Sequence, residues 1–276
     1  MTIIHHRPLL FILLVLFCAR GTAQSEIGPE DTSGLELINK WPKFYFAFGY
    51  HRAYFTPSTI QLHEPSVFDF TLDKVKASDL PLRGLRDLKP FSYGPYHLRL
   101  GYRYASNKSI AMGFDHMRYH TRQNQRVEID GYYHDTPNGE GKIIASGEIE
   151  LSPEFFRFEH TDGLNYLYIG HDFLLQVRGP PLPILITLGA DAGLYIPRTE
   201  SYVRERGGNK KYHLSGWGSS LHAHLQWPAG QRIVVEVGAK AGYINLSDIL
   251  VGGSPNGRAD QELGFATIQF SGLYLF

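Results

Sequence analysis

The sequence predicts an all-β chain, folded as an antiparallel up-and-down transmembrane β-barrel, with eight strands expected. Three observations lead there. Stretches of about ten residues alternate apolar with small or polar side chains. The links between them alternate short and long, and the chain stops on an aromatic residue, Phe276. Composition agrees with β structure: Gly reaches 29, Tyr and Phe are 17 each, and Met is only 3 among 276 residues. Lys+Arg and Asp+Glu balance at 27 each, which excludes a general nucleic-acid binder. The single cysteine excludes a disulfide scaffold and a cysteine-rich zinc site.

Residues 1–23 read as a secretory signal peptide. His5, His6 and Arg7 form a polar start, and Leu9–Ala19 is an apolar core too short to span a bilayer. Gly21-Thr22-Ala23 supplies the small residues of a cleavage site. Removing this segment also removes Cys18, Arg7 and Arg20, leaving a slightly acidic chain with no thiol. Residues 24–42 read as a short lead-in on the periplasmic side, ending at Trp41-Pro42.

The barrel itself is expected over 43–276, taken strand by strand. In 43–54, Phe44, Phe46, Phe48 and Tyr50 share one face, and Tyr45, Ala47, Gly49 and His51 the other. In 96–105, Tyr96, Leu98, Leu100 and Tyr102 oppose His97, Arg99, Gly101 and Arg103. The third and fourth strands fall at 109–120 and 165–177; the facing of Tyr166 and Tyr168 in the fourth stays open. In 184–196, Ile186, Leu188, Ala190 and Leu194 oppose Thr187, Gly189, Asp191 and Gly193. The sixth strand is expected at 212–227. In 231–244, Ile233, Val235 and Val237 oppose Glu236, Gly238 and Lys240. The last strand, 262–276, sets Ile268, Phe270, Tyr274 and Phe276 on one face. One face throughout is apolar; the other is small and sparsely charged, as a narrow barrel interior requires.

The links 106–108, 179–183 and 228–230 are short, and 55–95, 121–164, 197–211 and 245–261 are long. An even strand number then puts both termini on the short-turn, periplasmic side. Such a barrel hides its apolar content from a sorting step that stops long apolar helices in the inner membrane. The terminal pattern Phe270, Tyr274, Phe276 resembles the signal that the barrel-assembly machinery reads on bacterial outer-membrane proteins. These features point to the outer membrane of a Gram-negative bacterium.

The chain resembles the small eight-stranded outer-membrane barrels of the OmpX/OmpA type. Locally, Gly113–Gln125 (GFDHMRYHTRQNQ), Phe158–Tyr166 (FEHTDGLNY), Pro197-Arg198-Thr199, His213–Gly218 (HLSGWG) and Gly242–Asn245 (GYIN) resemble an uncharacterised family of such barrels. The resemblance implies a fold and a location. It supplies no catalytic residues.

Candidate chemistry follows from the facing. His97, Arg99, Arg103, Asp115, Asp172, Asp191, Glu236 and Lys240 are expected to form a paired charge network filling the lumen. The competing reading of these charges is an ion pathway. His160 and Asp162 share a strand face in Glu159–Asn165 and are the weak candidates for an outer-leaflet lipid or lipid A acyl hydrolase. No hydroxyl shares that face, and Ser219 or Ser220 would have to serve. His222 and His224 form a potential metal pair without a third ligand, and His116 and His120 lie too far apart. They read as polar residues, so no metal and no cofactor is expected.

Two long links show further alternation. Residues 125–134 and 142–151, around Pro137-Asn138-Gly139, suggest a protruding hairpin, and Phe68, Phe70 and Leu72 suggest another strand. Exposed edges pair readily, so 55–95 and 121–164 are the expected sites for an extracellular protein partner. Outer-membrane lipid, including lipopolysaccharide, would surround the wall. The leading reading is a monomer with a structural or surface-interaction role and a filled lumen. The alternatives are the hydrolase and a small porin or transporter with ten or more wall strands.

Overall fold

The computed structural model describes residues 41–79, 94–135, 141–178, 183–204, 206–208, 210–253 and 255–276. The expected signal peptide, most of the lead-in, the turn at Pro137-Asn138-Gly139 and nearly all of the 179–183 link lie outside these residues.

Eight antiparallel strands form the wall: β1 (Phe44–Phe55), β5 (Tyr96–Ala105), β6 (Lys108–Thr121), β9 (Phe156–Arg178), β10 (Ile184–Tyr195), β13 (Gly216–Pro228), β14 (Ile233–Leu250) and β15 (Arg258–Leu275). Each pairs with the next in that order. The ladder closes where β1 pairs β15, in register from Tyr45↔Leu275 to Phe55↔Phe265. Closure leaves the wall no free edge, the condition for a sheet surrounded by lipid. The start of β1, the end of β15 and the turns that join β5 to β6 and β13 to β14 sit at one end, here the lower end. The expected eight-strand architecture holds, and among the described residues no loop strand enters the wall.

The remaining strands build a cap on the upper end: β2 (Ser58–Glu64), β3 (Phe68–Val75), β4 (Ala77–Ser78), β7 (Gln125–His134), β8 (Lys142–Leu151), β11 (Glu200–Val203) and β12 (Arg206–Gly207). β2 continues from β1 and pairs with the upper part of β15, Thr59↔Glu262 to His63↔Arg258. β3 adds to β2, β7 to β3 and β8 to β7, so one sheet rises from the barrel rim. β11 pairs with the upper part of β9, and β4 with the end of β6.

Several wall strands therefore outrun the expected limits, and β13 starts at Gly216 rather than 212. The reason lies in an inversion of polarity along single strands. On the lower part of β15, Ile268, Phe270 and Tyr274 point outward and are exposed, while Thr267, Gln269 and Ser271 point inward. On its upper part Leu263 and Phe265 point inward and are buried, while Glu262 is exposed. β9 behaves alike: Leu167 and Ile169 face outward below, Phe156 and Phe158 inward above. The outside is apolar where it meets lipid, and the inside is apolar where the outside meets water.

The apolar belt carries aromatic rims. Below, Phe44 stacks on Phe276 at 6.0 Å between centroids. Above, Tyr54 and Trp217 are exposed, and Trp217 packs on Tyr243 at 6.0 Å. Amphipathic rings suit such interfaces.

Glycine lies inside, but not to leave empty space. Tyr45 lies against its register partner Gly101, and Tyr168 against Gly113. His97 covers Gly49, His222 covers Gly189, and His224 covers Gly238 in the same way. A Cβ at any of these glycines would strike the ring. The lumen thus holds rings as well as charges, and these five are each seated on a glycine across the ladder.

Candidate functional site

The lumen is layered. At the lower mouth Leu185, Val234, Leu273 and Leu275 are buried, and Trp41 packs against this layer. At the upper end Met117, Tyr119, Phe158, Leu164, Tyr195 and Phe265 are buried and continuous with the cap core. Arg103, Ser109 and Thr187 line the lower mouth beside the leucines, and the other charged side chains lie between the two ends.

Arg99 on β5 binds Glu236 on β14 through both carboxylate oxygens, at 3.0 and 2.8 Å. Glu236 also accepts from Gln226 at 2.7 Å and Ser271 at 3.1 Å. Ser271 in turn accepts from His97 Nε2 at 3.0 Å. Lys240 donates to Asp115 at 2.7 Å, sits 3.2 Å from Asp191 and lies over the Tyr168 ring at 3.8 Å. Asp191 accepts from Tyr166 at 2.8 Å and Ser220 at 2.6 Å. Asp172 accepts from Tyr45 at 2.9 Å and Ser109 at 3.2 Å.

His222 ties the two acids together. Its Nε2 lies 2.8 Å from Asp172 and its Nδ1 3.3 Å from Asp191. Only an imidazolium donates from both nitrogens. With His222 so charged, three cations face four carboxylates. His224 needs no charge: Nε2 donates to Gln269 at 3.0 Å and Nδ1 accepts from Arg99 at 3.4 Å.

The structure thus brings His97, Arg99, Asp115, Asp172, Asp191, Glu236 and Lys240 into one buried layer. It also shows Tyr166 and Tyr168 facing the lumen, which settles the open facing of the fourth strand. Arg103 lies lower, at the mouth of the barrel. Its guanidinium donates to the Pro42 carbonyl and lies 5.2 Å from the Trp41 ring centroid, at the lower mouth. His222, Ser220 and Tyr166, which sequence reasoning left out of the charge network, belong to it. Their inward parity was the available signal.

His160 and Asp162 do not act together. Tyr119 pairs with His160 and Met117 with Leu164, so residues 161–163 bulge opposite Arg118. Gly163 takes a φ of 110° in that bulge, a value only glycine adopts easily. The bulge breaks the alternation, turning His160 inward while Asp162 pairs with Arg198 on the surface. His160 is fully buried, between Tyr119 and Phe158, with Thr199 2.9 Å from Nδ1 and Gln261 3.5 Å from Nε2. Gln261 continues to Ser58 at 3.0 Å, and Ser58 to Tyr119 at 3.0 Å. This chain cross-links β2, β6, β9 and β15 inside the cap and exposes no nucleophile. Ser220 is buried on Asp191, so it does not serve His160 either.

Beside β4, Asp79 is buried and accepts the Ala53 N–H at 2.8 Å. Burial pushes its carboxyl up, against the backbone hydrogen bond and the nearby Arg52 and Arg118. Among the described residues no group of three or more potential ligands is placed to hold a metal ion. Phe270, Tyr274 and Phe276 all face outward and are exposed.

Comparison with solved structures places this closed ladder beside known proteins. The chain resembles small outer-membrane β-barrels. Neisserial surface protein A is 12% identical over 82% of this chain and 96% of its own, with a TM-score of 0.32. The attachment invasion locus protein Ail of Yersinia pestis is 11% identical over 83% and 99%, with a TM-score of 0.29. The outer membrane protein OprG of Pseudomonas aeruginosa is 8% identical over 86% and 97%, with a TM-score of 0.36. No family model matches the sequence. Comparison with curated proteins finds no match. The architecture therefore rests on the strand pairing itself, and no activity is carried over.

Proposed function

We propose that the protein is an integral outer-membrane barrel with a closed lumen, which serves as a rigid base for a sheet displayed at the cell surface. The observation that carries this reading is the filling of the lumen: the charged side chains pair across it, and buried apolar residues continuous with the cap core plug its upper end. Ions need a hydrated route, and an apolar constriction opposes one. Eight strands leave an interior that side chains fill. The lower end, with both termini, is the periplasmic end, and the cap is extracellular. Residues 1–23 act as a cleaved export signal, and Phe270, Tyr274 and Phe276 address the chain to the barrel-assembly machinery. The belt contacts membrane lipid, and the rim contacts lipopolysaccharide. The displayed sheet, drawn from 55–95 and 121–164, is the surface for a protein partner. Burial of His160 in an aromatic cluster gives the hydrolase reading no support.

Planar-bilayer recording on the purified protein tests the closed lumen. No conductance step above background is expected; steps of porin size would overturn it. Trypsin added to intact cells is expected to cut after Lys142, the one Lys or Arg in 134–142, and leave the barrel whole. Cleavage only after the outer membrane is breached would reverse the proposed orientation.

A further inference from the structure

β8 is the edge of the displayed sheet. Among the described residues it pairs with β7 alone. Its odd-numbered residues face the cap core, where Ala145 and Ile149 pack while staying partly exposed. Its even-numbered residues face outward: Lys142, Ile144, Ser146, Glu148 and Glu150. The hydrogen-bond parity can be read at the open end of the hairpin, where Asp135 N–H donates to the Gly141 carbonyl. With the pairing Gln125↔Leu151 to His134↔Lys142, alternation assigns the odd residues of β8 to bonds with β7. The even residues then carry the free N–H and C=O groups of the edge.

An antiparallel partner with its centre opposite Ser146 uses all of these free groups. A second β8 fits that register. Lys142 then faces Glu150 twice, Ile143 faces Ile149, and Ala145 faces Gly147, beside which the space is open. Opposite charges and apolar pairs directly across a ladder are the favourable pairs, and here one strand supplies both halves. We propose that the cap binds a second copy of this chain through β8, antiparallel, with the two-fold axis at Ser146. The proposal rests on the surface-display reading and names its partner. The barrel wall is complete without the second copy; only the cap associates.

The test uses the full chain in detergent micelles, which impose no common membrane plane, with Cys18→Ser to remove the one native cysteine. Ser146→Cys is expected to oxidise to a covalent dimer, since hydrogen-bonded partners sit about 5.5 Å apart at Cα. Asp130→Cys, one strand further in opposite Ser146, is expected to stay monomeric. Without any thiol, sedimentation is expected to show a reversible dimer. Glu150→Lys weakens that dimer about tenfold or more by setting lysines opposite each other, and adding Lys142→Glu restores it. Heat-modified gel mobility confirms that each variant is folded. A folded Ser146→Cys protein that stays monomeric overturns the proposal. So does equal cross-linking at Asp130→Cys, or a dimer that ignores Glu150→Lys. Any of these leaves the surface-display reading standing, because protease access on intact cells decides that separately.

Discussion

Lys240 and Asp115 stand on opposite walls of the barrel, four strands apart in a ring of eight, yet their side chains meet at 2.7 Å. The bond spans the whole lumen. Arg99 and Glu236 cross it three strands apart, and Tyr45 and Asp172 likewise. Such struts hold the cross-section, and each carries buried charge or a buried hydroxyl.

Lys240→Ala should therefore destabilise the barrel by about 3–5 kcal/mol, because it leaves the buried Asp115 without its cation. Lys240→Met with Asp115→Asn should recover part of the loss, since Asp191 keeps Tyr166, Ser220 and His222. Urea unfolding, followed by gel mobility, measures both. Equal losses in the two variants would show that the strut contributes no specific pairing.

Gly101→Val should cost about 1–3 kcal/mol, because its side chain meets the Tyr45 ring and pulls that hydroxyl off Asp172. Gly272→Val is the control. Gly272 faces outward with open space beside it, so a shift within about 0.5 kcal/mol is expected. Thermal unfolding of the pair separates ring seating from a general intolerance of valine.

His160→Ala should loosen the cap while sparing the wall. It leaves Thr199 and Gln261 without their partner and opens a hole between Tyr119 and Phe158, at a cost of about 2–3 kcal/mol. Asp162→Ala removes a surface pair and should cost under about 1 kcal/mol. Hydrogen exchange should rise in β2 and the upper part of β9 only for His160→Ala. Faster exchange in both variants would mean that the bulge, not the buried chain, holds the cap.

Asp79 gives a pH dependence. Its carboxyl is raised by burial, so its contribution to stability is fully present below the unfolded value, about 4, and is lost as pH rises through the folded value. Asp79→Asn keeps an acceptor for Ala53 N–H and removes the charge. The variant should match or exceed the wild-type melting temperature at neutral pH, and the difference should vanish near pH 4. A variant that is less stable than the wild type at neutral pH, with the difference vanishing near pH 4, would show that Arg52 and Arg118 outweigh burial.

The barrel wall was legible because lipid and lumen demand opposite chemistry on alternate residues. Leu98 and Leu100 against His97 and Arg99 show it plainly on β5. The upper strand extensions were not, because the rule inverts above the belt. Phe156 and Phe158 point inward there, as in a soluble sheet, so a reading tuned to apolar-outward strands stops short. The inward parity of Asp191, Glu236 and Lys240 could be read directly. Their partners could not, since a strut such as Lys240–Asp115 joins residues 125 positions apart. His160 and Asp162 defeated the alternation for a local reason: the bulge at 161–163 turns Asp162 to the surface, while His160 before it and Leu164 after it both point inward, and nothing but Gly163 announces it.

β15 has one further consequence. Its lower part zips to β1 and its upper part to β2, and only Thr56 and Pro57 separate those two strands. The seam that shuts the wall and the root of the displayed sheet are thus a single run of pairing between the start and the finish of the barrel chain. The upright sheet is joined to the far side of the seam only through β15, so fixing the cap on the rim and shutting the wall draw on the same pairing.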